Sequence, residues 1–131
     1  DPSRICFEVT ESALIDNPEL AIGNLEALRD LGLDLALDDF GTQYASLTYL
    51  RTLPVNLLKI DRSFTAGLGH APKDDTIIES TISLAHGLGL EVVAEGIETV
   101  EERDACVDLG CDLLQGYLFA KPCPPFVDPL L

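Results

Sequence analysis

The chain has 131 residues, about one domain's worth, and its 47% hydrophobic content supplies a core, which excludes a disordered tail. With 23 acidic against 8 basic residues the net charge is −15, which excludes a general nucleic-acid or anionic-membrane surface, because both need clustered Lys and Arg. The four cysteines, Cys6, Cys106, Cys111 and Cys123, have no CxxC spacing, so zinc and thioredoxin-like sites are disfavoured and reduced, mostly buried thiols are expected. No basic segment leads into an apolar run and no apolar stretch reaches about 18 residues, so neither a signal peptide nor a membrane span is expected, and the setting expected is cytoplasmic.

In chain order, Ile5 to Glu11 carries β-type residues and predicts a strand with Cys6, Glu8 and Thr10 on one face. An acid inside a strand marks an edge, an ion pair or a ligand pointing into a site. Asn17 is a helix cap with Pro18 at the first helical position, and Leu20, Leu25, Leu28 and Leu31 are expected to form the buried side before Gly32 stops the helix. The apolar run from Leu33 to Leu37 then ends in Asp38, Asp39 and, after Phe40, Gly41, which reads as a buried strand opening into a loop. Adjacent side chains on a regular strand point to opposite faces. Asp38 and Asp39 can therefore serve one site only where the strand is ending and Gly41 lets the backbone turn. Placed so, they are a paired oxygen set for a hard divalent cation; the plain alternative is a capped turn with two solvated acids.

Leu47, Leu50 and Leu53 suggest a short helix ended by Pro54, and Val55 to Asp61 reads as the next strand, with Lys59 and Asp61 on one face. That lysine and aspartate form either a structural ion pair or a group that orients a nucleophilic water. Residues 65–73 are expected as loop with His70 solvated, and Ile77, Ile78, Ile82, Ala85 and Leu88 define an amphipathic helix closed near Gly87 and Gly89. Glu91 to Thr99 repeats an apolar run ending in acid and glycine, and Thr99 with Glu102 forms a capping box. Leu113 to Phe119 is the last strand expected, with Gln115 and Tyr117 on one face, before Pro122, Pro124, Pro125 and Pro129 forbid further regular structure.

Five strands separated by helices imply an α/β fold with a parallel sheet whose carboxyl ends lie on one side. Glu8, Asp38, Asp39, Lys59, Asp61, Glu95 and Gln115 all fall at those ends. An open doubly wound sheet and a (β/α) TIM-type barrel both fit this rhythm, and a polar residue near the end of nearly every strand favours the barrel. A whole barrel takes about 250 residues, so the chain is expected to be its C-terminal half, about five β-α units, with the N-terminal half absent.

Five ordered motifs resemble the EAL-domain family of cyclic-di-GMP phosphodiesterases. They are Phe7-Glu8-Val9-Thr10-Glu11-Ser12, Asp38-Asp39-Phe40-Gly41-Thr42, Leu58-Lys59-Ile60-Asp61-Arg62-Ser63-Phe64, Ala94-Glu95-Gly96-Ile97-Glu98-Thr99 and Gln115-Gly116-Tyr117-Leu118-Phe119-Ala120-Lys121-Pro122. The resemblance covers nearly the whole chain and corresponds to the C-terminal part of the domain, so residues 1–131 are expected to be one part of a single EAL-type domain. It implies a modified TIM barrel and a two-metal site for Mg2+ or Mn2+. Glu8 and Asp38 would bind one ion, Asp38 would bridge to a second, and Asp39 would complete that second site with Glu95 near it or its water. Lys59 would hold the attacking water beside Asp61. Gln115 and Glu98 would line the substrate end, and Glu11 would anchor the loop after Asp39.

The partners implied are cyclic-di-GMP, a second copy in a homodimer, and upstream sensory or GGDEF-type domains. Gln43-Tyr44-Ala45-Ser46 departs from the family's usual Gly-Tyr-Ser-Ser, which bears on loop order and on dimer-linked regulation. Two other readings compete, a non-catalytic cyclic-di-GMP receptor and an enolase-type barrel in which a lysine is the base.

Overall fold

The structure is a computed structural model that describes residues 1–41 and 47–124. The sequence reading of Thr42, Gln43, Tyr44, Ala45 and Ser46, and of Pro125 and Pro129, falls outside the described residues. Strand β1 (Cys6–Thr10) runs into α1 (Glu11–Ile15) and α2 (Pro18–Asp30). The Asn17 side chain accepts a hydrogen bond from the Leu20 N–H, and Pro18 occupies a position that needs no donor, which is why α2 begins there. Then follow β2 (Asp34–Phe40), α3 (Leu47–Thr52), β3 (Leu57–Ile60), α4 (Arg62–Thr65), α5 (Pro72–Gly87), β4 (Glu91–Ala94), α6 (Val100–Leu109) and β5 (Leu113–Leu114).

All pairings are parallel and each strand pairs with the next in sequence, in the order β1-β2-β3-β4-β5. A doubly wound sheet reverses its order at a switch point, whereas a barrel adds every strand beside the last, so this order selects the barrel architecture. One face of the arc is covered by helices. Leu35, Leu37, Leu58, Ile60, Val92 and Ala94 share a buried cluster with Leu25, Leu50, Leu53, Ile78, Ile82 and Ala85. Roughly 1.5–3 kcal/mol comes from each fully buried aliphatic side chain, so this layer holds the sheet together. Strand alternation sends the intervening residues to the other face, where Cys6, Glu8, Ala36, Leu57, Lys59 and Val93 line an open trough of about 720 Å³.

Several expectations are corrected. Leu20 and Leu31 are 60% and 66% exposed. At about 100° per residue Leu20 stands roughly 140° round the helix from the buried Leu25, and Leu31 lies past the last turn. Leu47, Ile77 and Leu88 are also exposed, and of the four thiols only Cys106 is fully buried, with Cys6 and Cys123 exposed. Residues 62–65 form α4 where no helix was read, because Asp61 caps them by accepting from the Ser63 N–H at 2.8 Å. Of the segment 65–73 only residues 66–71 are loop, since α4 ends at Thr65 and α5 starts at Pro72.

Strand β4 ends at Ala94, just before the acid and glycine, while β5 stops at Leu114 rather than Phe119. The cause is Ile97, whose N–H donates to the Gln115 carbonyl and whose carbonyl accepts from the Leu118 N–H, each at 3.0 Å. The chain turns around that residue, so Gln115 and Tyr117 do not alternate along a strand. Gly116 packs onto the Ile97 backbone so closely that a Cβ there would overlap it. The capping box is as read: the Thr99 side chain accepts from the Glu102 N–H and the Glu102 carboxylate accepts from the Thr99 N–H.

Candidate active site

The polar residues gather where the strands end, and β2 supplies the irregularity that makes a site of them. Its register slips between Leu37 and Phe40, and Asp39 takes a φ of 57°. Residues with a side chain seldom adopt that left-handed region, and strain of this kind persists where the surroundings hold it. The slip overcomes strand alternation. Asp38 and Asp39 converge instead of diverging, and with Glu95 they offer three carboxylate oxygens within 4.8 Å of one another. The sequence reading put this reversal at the end of the strand and at Gly41; β2 does end at Phe40 and Gly41 has a φ of 89°, and Asp39 adds a left-handed bend that was not expected.

The electrostatics follow from crowding. Asp38 Oδ1 accepts from the Asp39 N–H at 2.8 Å, and the carboxylates of Asp38, Asp39, Asp61 and Glu95 lie close enough to act on one another's charge. Burial, and then the charges of Asp38 and Asp61, push the Asp39 carboxyl above its usual range. Burial also raises Glu95, with Asp38 adding to it, although Lys59 pulls the other way. Oxygen donors so close need either a shared proton or a cation, and three carboxylates at this spacing fit a hard divalent ion.

Lys59 is 4% exposed and reaches between two strands, with Nζ 2.5 Å from Glu8 Oε1 and 2.6 Å from Glu95 Oε1. Burial works to lower its pKa, but the hydrogen bonds it donates to both carboxylates outweigh burial and hold the ammonium above the usual lysine range. It is a fixed positive charge and a donor, not a base. The structural ion pair that the sequence allowed between Lys59 and Asp61 is therefore corrected: the partners of Lys59 are Glu8 and Glu95. Asp61 is held below the usual carboxylate range by its hydrogen bonds from Ser63, side chain and backbone. Glu8 stands beside Lys59 and is not one of the three converging oxygens.

Toward the mouth, Asp61, Arg62, Glu95, Glu98, Gln115 and Tyr117 line a cavity of about 260 Å³. Arg62 Nη1 lies 2.7 Å from Glu98 Oε1. Gly96 has a φ of +72°, and the Arg62 stem crosses it so closely that a Cβ would meet Arg62 Cγ at 2.5 Å. Sequence reasoning did not single out Arg62, and its position directly after Asp61 was the available signal. Glu11 opens α1 beside a small cavity with Phe40, Tyr49 and Leu50, while the loop it was expected to anchor, 42–46, lies outside the described residues.

Comparison with known proteins agrees with this geometry. The sequence model of the EAL domain matches residues 1–122. The cyclic di-GMP phosphodiesterase RocR of Pseudomonas aeruginosa is 43% identical over 123 residues, which cover 94% of this chain and 31% of RocR. The MucR phosphodiesterase in complex with c-di-GMP superposes with a TM-score of 0.87 at 41% identity, covering 95% of this chain and 50% of that one. Klebsiella pneumoniae BlrP1 in its manganese and cyclic-di-GMP complex gives a TM-score of 0.85 at 35% identity, over 93% of this chain and 31% of BlrP1. The chain thus spans less than a third of RocR and half of the MucR structure. By its family match and by its barrel arc, this chain belongs to the EAL domain family.

Proposed function

We propose that the chain is the C-terminal part of one EAL domain that hydrolyses cyclic-di-GMP to linear pGpG with two divalent cations, Mg2+ or Mn2+. The observation that carries this reading is the convergence of Asp38, Asp39 and Glu95 within 4.8 Å beside the buried ammonium of Lys59. When bound, the cations supply Lewis-acid stabilisation of the phosphodiester and hydroxide near neutral pH. Asp38 would hold both cations, Asp39 and Glu95 would help hold one of them, and Glu8 would help hold the other. Lys59, kept protonated by its two carboxylates, donates a hydrogen bond to the attacking water and orients it. Asp61 stays ionised beside Asp39 and adds negative charge to the cation site. Glu98 and Gln115 line the substrate end of the pocket, and Glu11 anchors the loop that follows Asp39.

A dianionic dinucleotide approaching a chain with net charge −15 needs this cation requirement, because the protein's own field repels it. The proposal includes an N-terminal half that closes the open trough, a homodimer, upstream sensory or GGDEF-type domains, and a cytoplasmic setting. Among the described residues no helix is long and apolar enough to cross a membrane. Support for a linked cyclase is that a 41% identical relative, MucR of Pseudomonas aeruginosa, is a bifunctional diguanylate cyclase and cyclic di-GMP phosphodiesterase. Chromatographic detection of pGpG from cyclic-di-GMP, with Mg2+, with Mn2+ and with a chelator, tests the reading on the whole EAL domain. Metal-dependent turnover is expected; tight binding without turnover would replace the enzyme by the receptor reading.

A further inference from the structure

The C-terminus of α6 has a feature that the proposed hydrolysis does not use. Gly110 adopts a φ of 95°, its N–H donates to the Val107 carbonyl, and the Cys111 N–H donates to the Cys106 carbonyl, both at 3.0 Å. This is a Schellman ending, with Gly110 in the left-handed position and paired 6→1 and 5→2 hydrogen bonds. Such an ending brings the side chains at its first and last positions into contact, a place ordinarily filled by two apolar residues. Here both are cysteines. Cys106 is fully buried within the core and Cys111 is half-buried against it. Cys6 and Cys123 are both exposed, and both cysteines of the pair are free thiols.

We propose that Cys106 and Cys111 are an oxidative modification site, a thiol pair that closes into a disulfide across the end of α6. The Cys111 N–H, bonded to the Cys106 carbonyl at 3.0 Å, holds the two residues side by side across the end of the helix, so the bond is expected to form without unwinding it. The Cys111 thiol favours the Cys106 thiolate against burial and is itself raised, so the pair gives up one proton more readily than two isolated buried thiols. The co-reactant is a small two-electron oxidant of the peroxide class, entering from the half-exposed Cys111 side. One thiolate attacks a peroxide oxygen; the S–O bond forms as the O–O bond breaks, and hydroxide leaves to take up a proton. The second sulfur then attacks the first, the S–S bond forms, the S–O bond breaks and water leaves. Both thiols are oxidised to one disulfide and one hydrogen peroxide is reduced to two waters. The crosslink fastens the turn that feeds Asp112 and Gln115, and neither cysteine touches the carboxylates of the candidate site.

The test treats the whole folded protein with hydrogen peroxide, quenches with catalase, alkylates under denaturing conditions and digests with trypsin and chymotrypsin. The fragment from Asp104 to Tyr117 contains Cys106 and Cys111 and no other cysteine. The expected result is loss of two hydrogens from that fragment with neither thiol alkylated, reversal by dithiothreitol, and no such product in Cys106→Ser or Cys111→Ser. The thermal midpoint of the parent should rise on oxidation and fall back on reduction, and it should not respond in either variant. Exposed Cys6 and Cys123 report that the oxidant has acted. Full alkylation of Cys106 and Cys111 under conditions that oxidise those exposed thiols would overturn the proposal, as would a disulfide joining either one to a different cysteine.

Discussion

Replacing Lys59 by methionine separates the charge of the buried ammonium from its bulk. Removing one partner of a buried ion pair costs about 3–5 kcal/mol, because the charge left behind is uncompensated. Both carboxylates on Lys59 must be weighed, and they differ: the Glu8 side chain is 46% exposed and that of Glu95 19%. Glu8 regains water, so only Glu95 is left short, and the loss expected at pH 8 without metal is about 2 kcal/mol, roughly half the usual figure. The pH dependence has a definite sign. Glu95 is already raised by burial and by Asp38, and Lys59 is what opposes that rise. Without Lys59 it rises further, so Glu95 takes up a proton in the variant fold at a higher pH than in the parent. Uptake removes the uncompensated charge, so the variant should recover stability relative to the parent as pH falls from 8 toward 5. Urea unfolding of both proteins at the two pH values, in a chelator, measures this. A loss that is equal at both pH values, or larger at pH 5, would refute the bridging role of Lys59.

Two further predictions concern the frame around the site. Asp112 Oδ2 accepts from the Val92 N–H at 2.7 Å and shares a hydrogen bond with His86 Nε2 at 2.8 Å. Burial would raise this carboxyl, but the His86 and Val92 contacts outweigh it and hold it low, so its contribution is present above the ordinary aspartate pKa and is lost as pH falls through the depressed folded value. Asp112→Asn should therefore lower stability at pH 7 and flatten the acid limb of the stability curve, measured by denaturation between pH 7 and 3. Gly116→Ala forces a Cβ into the Ile97 backbone, which cannot yield as a flexible side chain would. A loss of about 3 kcal/mol or more is expected by chemical denaturation, at or above the top of the usual overpacking range, together with weakened substrate binding because Gln115 and Glu98 flank the displaced contact.

The barrel was legible in the sequence because each strand-to-helix step carries its own punctuation. Asn17-Pro18, Gly110 and the Thr99–Glu102 box all act where local chemistry puts them. The carboxylates were legible because acids at the ends of apolar runs are costly without a purpose. Pairing across the sheet was not legible. Period two puts Lys59 and Asp61 on one face, yet only the register between strands sets Lys59 between Glu8 and Glu95. The left-handed Asp39 was hidden for a related reason, since a glycine two residues on offers the obvious hinge and nothing in an aspartate announces that it bends as well. The short β5 depended on Ile97, a residue eighteen positions from Gln115, whose backbone captures the chain from outside any local pattern. Leu20 and Leu31 looked like core because composition counts leucines without asking on which side of the helix they fall.

The central claim is that Asp38 joins two cations, and titration of the whole EAL domain with Mn2+ tests it most directly. Electron paramagnetic resonance of free Mn2+ counts bound ions, and the comparison is between the parent and Asp38→Asn, which keeps size and hydrogen-bonding shape and removes the charge. The account predicts two ions bound by the parent, coupling between them, at least tenfold weaker binding of both in the variant, turnover lost with poor rescue by excess metal, and apo stability unchanged or slightly raised because a repelling carboxylate is gone. Two ions bound with unchanged affinity by Asp38→Asn, or retained turnover with clearly lower apo stability, would contradict it and leave Asp38 as a structural anion.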